Sequence, residues 1–256
     1  MSGVLEDEVA IITGAGRGLG RAYALRFAEE GARLLLPDIS LERAEGVAKE
    51  IGAKGGEAVA METDISDENA TKKMAEKVMQ QYGKVDILVN NAAIWYGVDP
   101  KSWDAWTLEE WDRMFAVNVR GTWLCCKAIA PLMIKQKRGK IINIASDVIR
   151  GVPDSQFFLA YALSKAAVYT LTQALAAALG PSGINVNVIA PGPTATEASL
   201  RLADSEKLFE GVVAAQCLKR REEPADVVGT ALFLASKESD FITGQLIVVD
   251  GGKVML

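Results

Sequence analysis

Val9-Ala10-Ile11-Ile12-Thr13-Gly14-Ala15-Gly16-Arg17-Gly18-Leu19-Gly20 is an apolar, β-branched run that breaks into alternate glycines, and Arg21 to Glu30 then has helical periodicity until Gly31 stops it. The pattern predicts strand, glycine turn and helix. The same alternation continues outward. Arg33–Asp38 reads as a second strand, with Ser40 capping a helix that closes before Lys54-Gly55-Gly56. Ala58–Thr63 is a third strand, followed by a charged amphipathic helix to Tyr82, and Val85–Val89 is a fourth. An aromatic loop from Ile94 to Trp106 leads into a long helical region, Leu108 to Gln136. Lys140–Ser146 is the fifth strand, Ile184–Ile189 the sixth and Leu246–Val249 the seventh, with further helices from Phe158 to Leu179 and from Pro224 to Ala235. Near-continuous apolar strands alternating with helices specify a parallel sheet covered on both faces. The expected fold is therefore α/β: one doubly wound Rossmann domain, residues 1–256, with a seven-stranded parallel sheet.

Composition bounds the chemistry. The chain has 256 residues, half of them hydrophobic, which suits one domain with a large core. A net charge of -5 argues against a nucleic-acid surface, and Lys135-Gln136-Lys137-Arg138 reads as the solvated end of a helix. The start lacks a secretory pattern and no apolar run reaches membrane-spanning length, so a soluble, cytoplasmic protein is expected, with no membrane partner. There is no histidine and no C-x-x-C among Cys125, Cys126 and Cys217, which excludes zinc sites of the common types and Ser-His-Asp hydrolysis.

In doubly wound sheets ligands bind at the carboxyl ends of the strands, and the informative residues fall there. Gly14, Gly16, Gly18 and Gly20 suit a tight turn that lets a pyrophosphate reach amides at a helix N-terminus. Asp38, eighteen residues beyond Gly20, can accept from ribose hydroxyls and repels a 2′-phosphate, which points to NAD. Arg17 argues for NADP, but Asp38 penalises the phosphate directly and decides the expectation. Tyr161 and Lys165 stand four apart in an Ala- and Leu-rich helix, so they share one face. An adjacent cation favours the phenolate and suits a tyrosine for proton exchange with an alcohol oxygen; alone, the pair reads as a half-buried Tyr beside a snorkelling Lys.

Thr13 to Gly20, Asp64, Asn90-Asn91-Ala92, Asn118, Ser146, Tyr161 with Lys165, and Pro191-Gly192 together resemble the short-chain dehydrogenase/reductase family, over about Val4 to Gly252. The resemblance implies that Tyr161 is the general acid-base residue, that Lys165 tunes it and holds the nicotinamide ribose, and that Ser146 orients the substrate oxygen. It implies that Asn118 kinks its helix and holds a relay water. Asp64 and Ile65 would meet the adenine, with Leu19 in the turn, Ile39 beside Asp38, and Asn91 and Ala92 by the central strand. Pro191, Gly192, Thr194 and Thr196 would meet the nicotinamide carboxamide, and residues 194–218 would form a lid over the substrate. A homotetramer is implied too, through the helices of Leu108 to Gln136 and Phe158 to Leu179.

Three departures stand out. Ala93 replaces the usual glycine after Asn90-Asn91-Ala92 and is expected to cause a local adjustment only. Ser146 lies fifteen residues before Tyr161, two more than the commonest spacing, so the loop through Val148 that borders the substrate is longer. Pro37 removes a backbone donor just before Asp38 and bears on its pose. Trp95, Tyr96, Val148 and Phe158, with Ser146 as the polar corner, suit a hydrophobic, cyclic or aromatic secondary alcohol or ketone; the same aromatics equally suit the core or a subunit contact. The reaction expected is hydride transfer between NAD(H) and such a substrate. An NADPH-dependent ketoreductase of the 3-oxoacyl-carrier-protein type is the nearest enzymic alternative, and a non-catalytic NAD(H)-binding sensor or scaffold is the alternative of another class.

Overall fold

The computed structural model describes residues 3–95, 100–150, 156–201 and 204–255. Seven parallel strands make one sheet in the order β3-β2-β1-β4-β5-β6-β7: β1 Val9–Ile12, β2 Arg33–Asp38, β3 Ala58–Glu62, β4 Ile87–Asn90, β5 Gly139–Ile144, β6 Ile184–Pro191 and β7 Leu246–Val249. The order reverses between β1 and β4, so a crevice opens at their carboxyl ends. The strands alternate their side chains between two cores. Ala10, Ile12, Leu34 and Leu36 face α1 (Gly18–Glu29), α2 (Leu41–Ala53) and α8 (Pro224–Ala235), through Phe27, Val47 and Ala231. Val9, Ile11, Leu35 and Leu88 face α3 (Glu68–Tyr82) and α5 (Thr122–Gln136), through Met74, Val78 and Ile129.

Local chemistry sets the element ends. Ser40 Oγ accepts from Arg43 N–H as the cap of α2, and Gly83, at φ 73°, closes α3 in the left-handed region. Thr107 and Glu110 form a reciprocal capping box that starts α4 (Leu108–Phe115). The expected long helix of residues 108–136 is divided: a π-helical turn, Ala116–Gly121, separates α4 from α5. Strand β4 starts at Ile87 rather than Val85: at Asp86 the Val9 N–H is taken by the side-chain carboxylate at 2.9 Å, while the Asp86 main chain still pairs with Val9 O and Lys140 N–H. Strand β6 runs on through Pro191. The remaining helices are α6 (Leu159–Leu179) and α7 (Ser205–Ala215).

A buried polar chain ties the central strands to α6. Asn90 Nδ2 donates to Asn143 Oδ1 at 2.9 Å, and Asn143 Nδ2 donates to Thr172 Oγ1 at 2.8 Å. Both asparagines and Thr172 are buried. Asn143→Ala removes the acceptor of one partner and the donor of the other and should cost about 2 kcal/mol. A urea-midpoint measurement checks this; an unchanged midpoint contradicts it.

Candidate active site

The glycine turn is built by exclusion. Gly14 has φ 66°, and its N–H donates to Pro37 O at 2.8 Å. A Cβ at Gly20 would stand 2.1 Å from Gly14 O and 2.6 Å from Asn91 Nδ2. Asn91 Nδ2 in turn donates to Thr13 O at 3.0 Å, while Thr13 Oγ1 accepts the N–H groups of Asn91 and Ala92. The end of β4 thus fixes the turn after β1, and the bare Cα atoms leave a cradle of main chain at the N-terminus of α1. Ala93 keeps a negative φ, so the methyl is accommodated without left-handed backbone.

Asp38 closes the other side of the cradle. Its Oδ2 accepts Gly16 N–H at 2.9 Å; its Oδ1 accepts Ser40 N–H at 2.9 Å and pairs with Arg43 at 3.1 Å. Pro37 sits within β2, and Asp38 stays in register with Glu62 of β3, so the missing donor does not displace it. Arg43 is a residue that linear reading passed over: its guanidinium reaches Asp38 from the first turn of α2. Glu197 is another. Its Oε1 accepts Gly18 N–H at 3.0 Å, which places a carboxylate where the α1 N-terminus would meet an anion. Arg17 is exposed at the N-cap, and Ile39 is exposed beside Asp38. Asp64 spends Oδ1 on the N–H and hydroxyl of Ser66, and Ile65 is buried against Gly121.

The residues expected to do acid-base chemistry gather at the ends of β4 and β5. Lys165, from α6, is buried; its Nζ donates to Ile144 O at 2.7 Å and lies 5.7 Å from the centre of the Tyr161 ring. Burial pushes its ammonium down to about 8. Asn118 occupies the π turn, a form of helix often found at working sites. Its Oδ1 accepts Ile94 N–H at 2.7 Å, and its Nδ2 donates to Ile94 O and to Ser164 Oγ at 3.1 Å. The side chain therefore links the loop after β4 to the helix of Tyr161 and Lys165. Ser146 follows β5, and its Oγ donates to Asp147 Oδ1 at 3.2 Å. Asp147 is buried and paired with Lys253 at 3.1 Å, and burial raises its carboxyl.

Trp95, Val148 and Phe158 converge on Tyr161. The Trp95 ring lies 4.6 Å from that of Tyr161 and 5.0 Å from that of Phe158, with Met114 and Trp106 in the same cluster. Trp103, from the same loop, is 73 % exposed and takes no part. Tyr96 lies outside the described residues. Beyond β6, Gly192 N–H donates to Val249 O, Thr194 Oγ1 reaches Glu222 Oε1 at 2.7 Å, and Thr196 and Ser199 bond each other.

This is a dinucleotide-type cradle joined at one strand edge to a tyrosine-lysine pair, the constellation of an oxidoreductase. Comparison with known proteins agrees. Residues 14–253 match the family model described as enoyl-(acyl carrier protein) reductase. The chain is 40 % identical to the sorbitol dehydrogenase of Cereibacter sphaeroides, over 98 % of this chain and 99 % of that protein. It is 38 % identical to the 3-oxoacyl-[acyl-carrier-protein] reductase FabG of Thermotoga maritima, with the same two coverages. Among solved structures, a 7α-hydroxysteroid dehydrogenase complexed with NADH and 7-oxo glycochenodeoxycholic acid superposes with a TM-score of 0.90 at 34 % identity, covering 98 % of this chain and 96 % of that one. The chain belongs to the short-chain dehydrogenase/reductase family and is an oxidoreductase.

Gly20→Ala tests the cradle. The methyl would meet backbone, so the variant should lose about 1–3 kcal/mol of stability, the usual cost of overpacking. A thermal melt reads the loss, and a melting temperature equal to that of the parent would show that the turn yields freely.

Proposed function

We propose that the protein interconverts a secondary alcohol and a ketone with NAD(H), Tyr161 exchanging the proton at the substrate oxygen. The observation that carries this reading is the buried Lys165 ammonium, fixed to Ile144 O beside the Tyr161 ring. A buried cation at that distance favours the phenolate and lets the phenol give or take a proton near neutral pH.

The dinucleotide, when bound, supplies or accepts the hydride. Gly14, Gly16, Gly18, Leu19 and Gly20 would border its pyrophosphate; the Gly14 and Gly16 N–H groups are spent on Pro37 O and Asp38 Oδ2, and Glu197 would have to leave Gly18 to free that amide. Asp38 meets the adenosine ribose, with Arg17 and Ile39 flanking; Asp64, Ile65, Asn91 and Ala92 border the adenine and the central strand. Pro191, Gly192, Thr194 and Thr196 hold the carboxamide end. Ser146 donates to the substrate oxygen and turns from Asp147 to do so, and Asn118 braces the helix that carries Tyr161 and Lys165 and passes protons through a water. Trp95, Val148 and Phe158 form an apolar wall for a hydrophobic, cyclic or aromatic substrate.

NAD is preferred because the buried Asp38 carboxylate faces the turn. The reading as an NADPH-dependent 3-oxoacyl-carrier-protein reductase is favoured by one observation: Arg43 already neutralises Asp38 and keeps an exposed guanidinium at the same corner. Self-association into a tetramer would cover the shallow groove along α4 and α5, lined by Asp112, Phe115, Val119 and Trp123. No described helix is long and apolar enough to cross a membrane.

Turnover of aliphatic, cyclic and aromatic secondary alcohols with NAD and NADP decides between these readings, with Tyr161→Phe as control. The expected result is turnover with NAD that falls about 10²- to 10⁴-fold in the variant, the usual contribution of a general acid-base residue. Turnover with NADP alone selects the ketoreductase reading, and dinucleotide binding without turnover of any alcohol or ketone selects the sensor.

A further inference from the structure

Behind the carboxamide end of the cradle lies a buried acidic group that the reaction does not use. Glu222 is 4 % exposed. It follows Lys219-Arg220-Arg221, yet its side chain turns inward, and the main chain forms a bridge to Thr194, with Ala195 N–H donating to Glu222 O at 2.7 Å. Glu222 Oε2 is buried and makes no well-aligned hydrogen bond among the described residues; nor does the buried hydroxyl of Tyr23, on α1, which feels the same carboxyl. Gly192 is bare at this point: a Cβ there would stand 2.8 Å from Glu222 Oε2 and 3.0 Å from Asp250 Cβ.

The charges around it are unbalanced. Asp147, from the turn after β5, and Asp250, from the end of β7, both repel a charge on Glu222. Asp250 is fixed as an acceptor by the N–H groups of Gly252, Lys253 and Val254. Asp147 is paired with Lys253. Arg220, exposed on the loop before Glu222, is committed to Asp226 through both guanidinium nitrogens. Among the described residues, then, three buried carboxyls lie near one partly buried ammonium, that of Lys253, and no such group converges to hold a metal ion. Burial first, then Asp147 and Asp250, raise the Glu222 carboxyl to about 7, against the opposing hydrogen bonds from Thr194 and from the Gly192 main chain.

The Thr194 hydroxyl reports the same imbalance. Its single proton has two acceptors in reach, Gly192 O at 3.1 Å and Glu222 Oε1 at 2.7 Å. Both contacts are full two-centre hydrogen bonds at once when Glu222 carries the proton between Oε1 and Thr194 Oγ1 and Thr194 donates onward to Gly192 O; otherwise the single Thr194 proton is shared between two acceptors. An ionised Glu222 claims the Thr194 proton for itself, leaves Gly192 O without its donor and places a third negative charge against Asp147 and Asp250.

We propose that Glu222 is a positioning residue that works in its protonated form: its O–H braces the Gly192–Thr194 turn, and loss of that proton loosens the turn and weakens dinucleotide binding. This rests on the reading of Gly192 and Thr194 as part of the cofactor cradle. The stability consequence does not. A carboxyl whose folded pKa is raised favours the folded state fully below the unfolded value near 4.5, and that contribution is lost as pH rises towards about 7.

Glu222→Gln keeps the shape and donates to Thr194 at every pH. Thermal melts and NADH and NADPH titrations across pH, on the parent, Glu222→Gln and Thr194→Val, test the proposal. The parent should lose melting temperature relative to Glu222→Gln as pH rises from about 5 to about 8, and its dinucleotide Kd should rise about fivefold or more, the low end of coupling between sites. Glu222→Gln should hold the parent's acid-side Kd throughout, and Thr194→Val should flatten the Kd profile while keeping the melting shift. Parallel melting profiles for the parent and Glu222→Gln overturn the proton assignment without reference to any cofactor. Diverging melts with parallel Kd profiles overturn the link to the cradle. Failure of every protein to bind either dinucleotide at any pH overturns the reading of the cradle itself.

Discussion

The hydrogen bond from Lys165 Nζ to Ile144 O is the contact on which the site depends. It anchors a buried ammonium to the last residue of β5 and so fixes α6, and with it Tyr161, to the carboxyl edge of the sheet. An uncompensated charge at that depth costs several kcal/mol, and a single carbonyl offsets only part of that. The remaining cost shows in the lowered pKa of the lysine. Such expense is common where a charge is needed for chemistry rather than for stability.

Parallel topology does the rest. Because every strand runs the same way, Thr13, Asp38, Asn90, Ile144 and Pro191 all end at one edge, and the loops that follow must share one crevice. The loops then fix one another: Asn91 holds the turn of Gly14, Asp38 holds Gly16, Asn118 holds Ile94, and Glu222 holds Thr194. Each link joins segments far apart in sequence, so the glycine turn and the Tyr161-Lys165 pair are positioned by the fold as a whole.

Much of this was legible in the sequence. The seven strands and their parallel sense, the helices on both faces, the glycine turn and the Tyr161-Lys165 face follow from periodicity and spacing, which are local properties. The division of the helix after Thr107 was visible only as the kink at Asn118 that the resemblance implies; its periodicity alone runs on, and the π turn goes with a bond from Ile94 N–H to Asn118, a contact across the fold. The aromatic loop divided in a way that hydropathy does not foresee, with Trp95 packed on Tyr161 and Trp103 exposed. Arg43, Glu197 and Glu222 were hidden for another reason: charged residues in charged surroundings read as solvated, and only tertiary contact shows that one turns inward.

Hydrogen-deuterium exchange with and without added NADH tests the central claim most directly, since it asks where the dinucleotide lies without requiring the right alcohol. Slower exchange is expected in the main chain of Gly14 to Gly20, at Asn91-Ala92 and from Gly192 to Glu197. No change at those amides, or protection confined to the α4–α5 face around Asp112 and Trp123, would contradict it.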